Sequence, residues 1–393
     1  MTLPEAPRRA VEERLCAVAD ERGLALIGFA RRLVATPSLP GEEQAVAAML
    51  AEELSALGYR DVEVDEAGNV VGWLGSGPAR LMFNGHLDHV PPAGMTDPYD
   101  PRLEYRGDEL VLRGRGSCDM KANVAAAAYS AAFLDATSPL TGSYLFTADV
   151  QEEIDSPLGV PALLARGLRA DFAISGESTE LAVSLGHRGK AQFDVTVAGR
   201  ASHASTPGAG INAVFAAVPL LVALDEAGGA LAGDDLFGAG SMTVTGIRSE
   251  PEGDVAVVPS ACVIRVDRRY VPGESGATCL DQLERLVADV SRRERIEVSV
   301  RLVSDYPLMS IAPEDRLVEI GREAVESVTG TRPPVTTWRF GVNATFISAA
   351  GVPTIGIGPG SEDWAHTSEE HIPVGQLVDS SRIYAALITR LCT

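Results

Sequence analysis

The sequence predicts an α/β protein in which a mostly parallel sheet flanked by helices is interrupted by an inserted ferredoxin-like βαββαβ unit. Three observations lead there. At 393 residues the chain exceeds the roughly 250 to 300 at which a single core stops growing, so two domains are expected. Short apolar runs alternate with helical stretches in the first half and again near the end, as parallel strands with crossover helices do. From about residue 188 that alternation gives way to a different order of strands and helices.

Taken in order, residues 5 to 36 and 41 to 57 carry apolar positions at three- and four-residue spacing and are expected as helices, the second closed by a Gly. The runs RLMFNGH, SYLFTADV, ADFAIS and VPTIGIG are expected strands, and MKANVAAAAYSAAFLDA an expected helix. The segment from 188 reads KAQFDVTVAG (strand), GINAVFAAVPLLVALDEA (helix), SMTVTGIRSE (strand), ACVIRVDRRYV (strand), a helix through LDQLERLVADVSRR, and IEVSVRLV (strand). This order sets the expected domains: a catalytic domain of residues 1–187 and 306–393, and an insertion of 188–305. GGALAGDDLFGAG is expected as a surface loop.

The chain is 46% hydrophobic and 22% charged, the balance of a folded soluble protein. Its 33 basic and 54 acidic residues leave a net charge of -21, which repels phosphate backbones and anionic bilayers, so neither nucleic acid nor membrane is an expected partner. Cys16, Cys118, Cys262, Cys279 and Cys392 are scattered without CxxC spacing, which speaks against a disulfide framework and for a reducing, cytoplasmic location. No apolar leader opens the sequence, and no run approaches the ~18 residues of a membrane span. Neither GxSxG nor GxxxxGK[ST] occurs, so serine-hydrolase and nucleotide-hydrolase readings fall away.

The chemistry-bearing residues recur at one kind of place. His86, Asp88 and His89 follow the apolar run LMF, Asp119 precedes an Ala-rich helix, Glu152 and Glu153 follow SYLFTADVQ, Glu177 follows ADFAISG, and His366 comes after VPTIGIG. In open α/β sheets ligands bind beyond the carboxyl ends of strands, so this placement is informative. Helix capping could explain Asp119 and solvation could explain the Glu pair, but five coincidences at strand ends call for one cause. Imidazole and carboxylate groups in this number suit two divalent ions sharing a carboxylate, with one acid left over as a general base. Cys118, beside Asp119, reads as a packed thiol.

The set GHLDHVPP, GRGSCDMK, DVQEE, SGEST with GHRGK, ASHAS and EDWAHTSEE resembles the zinc-dependent aminoacylase and peptidase family of acetylornithine deacetylase, succinyl-diaminopimelate desuccinylase and glutamate carboxypeptidase, over nearly the whole chain. The resemblance implies two divalent ions, zinc with cobalt or manganese as alternatives: His86 and Glu177 hold one, Glu153 and His366 the other, and Asp119 bridges them. It further implies Glu152 as general base and Asp88 orienting His86. The inserted domain becomes a lid and homodimerisation domain whose His203 reaches the partner's site to stabilise the oxyanion. Asn212 and Arg269 match substrate-contacting positions, Arg269 through a carboxylate.

What the resemblance implies for activity is removal of an acyl group from an N-acyl amino acid, acetylornithine deacetylase-like. A dipeptidase or carboxypeptidase of the same chemistry, release of an amino acid from a carrier protein, and a non-catalytic metal-binding protein are the alternatives. Two departures bear on substrate. In FGVNATFIS the desuccinylase pattern would have Asp at Asn343 and Arg at Thr345, which leaves Asn343 as a substrate-binding candidate of different chemistry and disfavours succinyl-diaminopimelate. Ala256 stands where many members have Asn.

Overall fold

The structure, a computed structural model, describes residue 15, residues 19–135, residue 137, residues 139–253 and residues 255–393. The start of the expected 5–36 helix, Cys16 and Ala136 lie outside them. Two compact units are present: Met1–Gly186 with Ser310–Trp338 and Val342–Thr393, and His187–Met309 with Arg339–Gly341.

The first unit opens with helix α1, Glu21–Ala35, whose Asp20 cap accepts from the Gly23 amide and whose Leu26, Ile27, Ala30, Leu33 and Val34 are buried. Helix α2 is Gln44–Ala56. Strands β1 (Arg60–Val64), β2 (Val70–Leu74), β3 (Ala79–His86), β4 (Arg102–Arg106) and β5 (Glu109–Arg113) follow, then helix α3 (Ala122–Tyr129) and strand β6 (Ser143–Asp149). Helix α4 (Val160–Ala165) separates β6 from β7 (Phe172–Ser175), and β8 is Val183–His187.

The second unit runs β9 (Gly189–Ala198), α5 (Ala213–Ala216), α6 (Val218–Gly228), β10 (Gly233–Asp234), β11 (Gly238–Ala239), β12 (Ser241–Glu250), β13 (Ala261–Tyr270), α7 (Gly276–Glu294) and β14 (Val298–Tyr306). Its four long strands pair antiparallel in the order β12-β13-β9-β14, the arrangement that the βαββαβ order produces. The one long helix expected over 210–227 is two, because Pro219 has no N–H to continue the ladder and α6 restarts around it. Within the expected loop GGALAGDDLFGAG, β10 and β11 form a short hairpin. Phe193, Val195, Ile264, Val266, Leu220, Leu283 and Val287 form the core between sheet and helices.

The first unit then adds β15 (Met309–Ser310), α8 (Arg316–Thr329), β16 (Val335–Trp338), α9 (Ala344–Ala349), β17 (Thr354–Gly356), β18 (His371–Pro373) and α10 (Val374–Cys392). Its main sheet has the order β1-β2-β6-β3-β7-β17-β8-β15, with β16 also pairing β8. The central strands β6-β3-β7-β17 pair parallel, whereas β1, β2 and β8 join antiparallel, so the sheet is mixed. The central strands are buried along nearly their whole length, as strands covered on both faces are. Ala-rich α3 is buried at every position, its small side chains permitting close packing. The parallel centre has a consequence for function: the carboxyl ends of β6, β3, β7 and β17 emerge on one edge.

Candidate metal centre

At that edge His86 is the last residue of β3, opposite Asp149 at the end of β6. Its Nδ1 donates to the Asp88 backbone oxygen at 3.1 Å, which leaves Nε2 as the outward-facing lone pair. The carboxylate of Asp88, the residue expected to orient His86, stands 3.4 Å from the same Nδ1. The carboxylate has another task. Its Oδ1 and Oδ2 accept from the amides of Glu152 and Glu153, each at 3.1 Å, and so hold the turn after β6 that presents both acids.

Asp119 occupies the irregular turn before α3, where the Asp119–Met120 peptide is cis. Its Oδ1 lies 3.0 Å from His86 Nε2 and its Oδ2 3.0 Å from His366 Nε2. His86 Nε2 is also 3.5 Å from Glu177 Oε1, and His366 Nε2 is 3.1 Å from Glu153 Oε2. One carboxylate therefore stands between two imidazoles, and each imidazole has a further acid of its own. Single ligand atoms of His86, Asp119 and Glu153 all lie within 4.8 Å of one another, close enough for one cation.

The electrostatics suit a cation. Burial disfavours an imidazolium at His86, but Asp119 and Asp88 outweigh it and raise its pKa well above the ordinary value. Contacts with Asp119 and Glu153 push His366 up to about 10. Burial, reinforced by Asp119, lifts Glu177 to about 8, and burial lifts Glu152 well above the carboxylate range. Burial also opposes ionisation of Asp119, yet hydrogen bonds from His366 and His86 hold it well below that range. So many carboxylates in so little space stay ionised together only beside compensating positive charge, which two imidazoles supply incompletely and divalent ions supply fully. The donor set, nitrogen and oxygen without thiolate, fits zinc, cobalt or manganese.

A second layer fixes these side chains. Glu370, fully buried, accepts from Arg115 Nη1 (2.6 Å) and from the amides of Gly116 (3.1 Å), Cys118 (2.9 Å) and Asp119 (3.1 Å). Gly116 adopts φ 76°, a left-handed turn open to glycine, and a Cβ there would meet Lys121 Cε at 2.7 Å. Buried Glu43 accepts from the Gln151 amide at 3.1 Å. His89 accepts from Ser38 N through Nε2 and donates through Nδ1 to Val90 O; burial lowers it to about 4, so it stays neutral and supports the loop. Sequence reasoning passed over Glu370, Glu43 and Arg115, and nothing in the sequence separates them from solvated charges. Cys118 is buried between Ser178 and Ser361, a packed thiol.

Residues 82–390 match peptidase family M20/M25/M40. A chain of Escherichia coli, the uncharacterised protein YgeY, is 31% identical over 375 residues, spanning 91% of this chain and 92% of that one. A succinyl-diaminopimelate desuccinylase of Xanthomonas oryzae is 31% identical over 381 residues, 91% and 96% of the two chains. This chain belongs to family M20. It is accordingly a metal-dependent hydrolase of amide or peptide bonds. The fold agrees with M20 structures: aminopeptidase PepT of Bacillus cereus superposes with a TM-score of 0.76 at 20% identity over 94% of this chain and 99% of that one. The Bacillus subtilis YXEP protein, a dinuclear metal-binding peptidase of family M20, superposes with 0.73 at 15% identity over 94% and 98%.

The remaining candidates of this M20 chain have defined surroundings. Asn343 is buried and its Nδ2 donates to Asp149 at 2.5 Å, while Asn84 donates to the other Asp149 oxygen at 2.8 Å. The Asn343 amide is thereby tied to a buried acid at the end of β6. Thr345 is buried as well. In the second unit, Asn212 caps α5 by accepting from Val214 and Phe215 amides, and Arg269 donates to Asp267 at 2.8 Å on its own strand. His203 is exposed, its Nδ1 accepting from the Ser205 amide at 3.1 Å, so the ring proton belongs on Nε2.

Proposed function

We propose that the chain is a dinuclear amidohydrolase that removes the acyl group from an N-acyl amino acid, with His86 and Glu177 holding one ion, Glu153 and His366 the other, and Asp119 bridging. The observation that carries this reading is the division of Asp119, one oxygen 3.0 Å from each imidazole. Zinc is the metal proposed, on the N/O donor set. Bound divalent ions supply Lewis-acid polarisation of the scissile carbonyl and acidify the attacking water.

Glu152, presented by the Asp88-held turn and without a hydrogen bond to either imidazole among the described residues, takes the proton of that water and passes it to the leaving amine nitrogen. His203, presented to a second copy of the chain, donates from Nε2 to the developing oxyanion; its Ser205 contact supports the tautomer this requires. Arg269 is the proposed partner of a substrate carboxylate, with its remaining guanidinium N–H groups beyond the Asp267 bond. Asn212 keeps its Nδ2 for substrate while Oδ1 caps α5. A hydrolysis panel of N-acetyl, N-succinyl and N-formyl amino acids beside dipeptides, with zinc-loaded protein, tests the substrate class. Acyl amino acids should turn over fastest; preferential cleavage of dipeptides would replace this reading by a dipeptidase.

We propose further that the second unit is a lid through which two copies associate. Phe215 (75% exposed), Val218 and Val222 form an apolar stripe at three- and four-residue spacing along α5 and α6, and β12 is a ten-residue edge strand. Phe215→Glu should shift a dimer to monomer in sedimentation, with the fold retained by circular dichroism; an unshifted dimer would place the interface elsewhere. Location in the cytoplasm is supported by Cys118, Cys262, Cys279 and Cys392, all buried and unpaired. No helix of the described residues is long and apolar enough to cross a membrane.

A further inference from the structure

We infer that the buried Arg115–Glu370 pair is a positioning device that holds three ligand-bearing segments in register, and so sets the separation at which Asp119 meets both imidazoles. The inference rests on the dinuclear reading above. Arg115 and Glu370 have 1% and 0% of their side-chain surface exposed and lie 2.6 Å apart.

Where their remaining bonds go decides the matter. Glu370 Oε1 accepts from the amides of Cys118 and Asp119, at 2.9 and 3.1 Å, and Oε2 accepts from the Gly116 amide as well as from Arg115. Arg115 Nη2 donates to Pro92 O and to Thr367 O, each at 3.0 Å. Pro92 lies in the loop that follows His86 and Asp88, Thr367 follows His366 directly, and the three amides are those of the turn carrying Asp119. One ion pair thus bonds to the backbone of three different ligand segments.

A buried ion pair is a poor source of stability alone, since two charges lose their hydration and apolar residues of similar volume often serve as well. Its planar fork and paired oxygens instead fix direction, because both groups accept or donate along set lines. His366 especially needs such a tie: it sits half exposed in a loop at φ 61°. Partners that lie behind metal ligands typically change affinity by about 10- to 100-fold when removed.

Glu370→Asp and Arg115→Lys keep both charges but shorten or simplify the contacts, and Glu370→Gln removes the charge. Each variant is titrated with Co²⁺ by calorimetry and by visible absorption, beside circular dichroism and thermal melting of metal-free protein. Folded variants are expected to bind the ions about 10- to 100-fold more weakly, with shifted absorption bands. Wild-type affinity and bands in folded Glu370→Asp and Arg115→Lys, with melting lowered or not, would make the pair merely structural and overturn the inference. Should Glu370→Gln not fold, the two charge-conserving variants still decide. Failure of the dinuclear reading would look different, because the unaltered chain would then bind fewer than two cobalt ions.

Discussion

Replacing Glu152 with Gln should lower kcat by roughly 10² to 10⁴-fold, the range by which positioned acid–base groups act, while leaving the bound metal in place. The separation of the two effects follows from the geometry. Glu152 and Glu153 are neighbours on one short turn, their amides held by the two oxygens of the same Asp88 carboxylate. Glu153 is directed at His366, whereas Glu152 has neither imidazole within bonding distance among the described contacts. A glutamine of the same shape keeps the turn and the amide bond but cannot accept a proton from water. Steady-state kinetics and elemental analysis of the purified variant check this together. Undiminished kcat would remove Glu152 from the mechanism, and loss of metal along with activity would make it a ligand.

Phe83→Ala should destabilise the first unit by about 3 to 5 kcal/mol, as large-to-small changes of buried aromatics do. Phe83 has no exposed surface; its ring stacks on Phe146 with centroids 5.5 Å apart and meets Tyr384 edge-on at 5.4 Å. It also fills the space over Gly176, where a Cβ would lie 2.5 Å from its Cζ. Gly176 precedes Glu177, and Phe83 is three residues before His86, so the cavity would open directly beneath two of the proposed ligands. Denaturant unfolding should show a lower midpoint at an unchanged slope. A loss below about 1 kcal/mol would mean that the strands close over the gap, and the packing beneath the site would then not be rigid.

Much of this was legible in the sequence, and the failures have physical causes. The runs RLMFNGH and SYLFTADV announce central strands because burial on both faces leaves them almost wholly apolar. Apolar runs carry no record of strand direction, however, and the antiparallel flanks went unread; β1, mostly exposed, has no apolar run at all. The break between α5 and α6 was written in Pro219, which the apolar spacing on either side concealed. Asp119, Glu153, Glu177 and His366 stood out because strand ends are where α/β sheets place ligands, and the structure brings the three carboxylates to the two imidazoles. Glu370, Glu43 and the second duty of Asp88 did not, since a carboxylate that accepts backbone amides is indistinguishable in sequence from one that faces water. The bond from Asn343 to buried Asp149 is equally silent in the motif that made Asn343 a substrate-binding candidate.

The claim on which the rest depends is that Asp119 is shared between two ions. A crystal structure of the zinc-loaded protein, with anomalous difference maps at the zinc edge, tests it most directly. Two peaks are expected, one bounded by His86 and Glu177 and the other by Glu153 and His366, with one Asp119 oxygen on each. A single peak, or two of which Asp119 touches only one, would contradict the account.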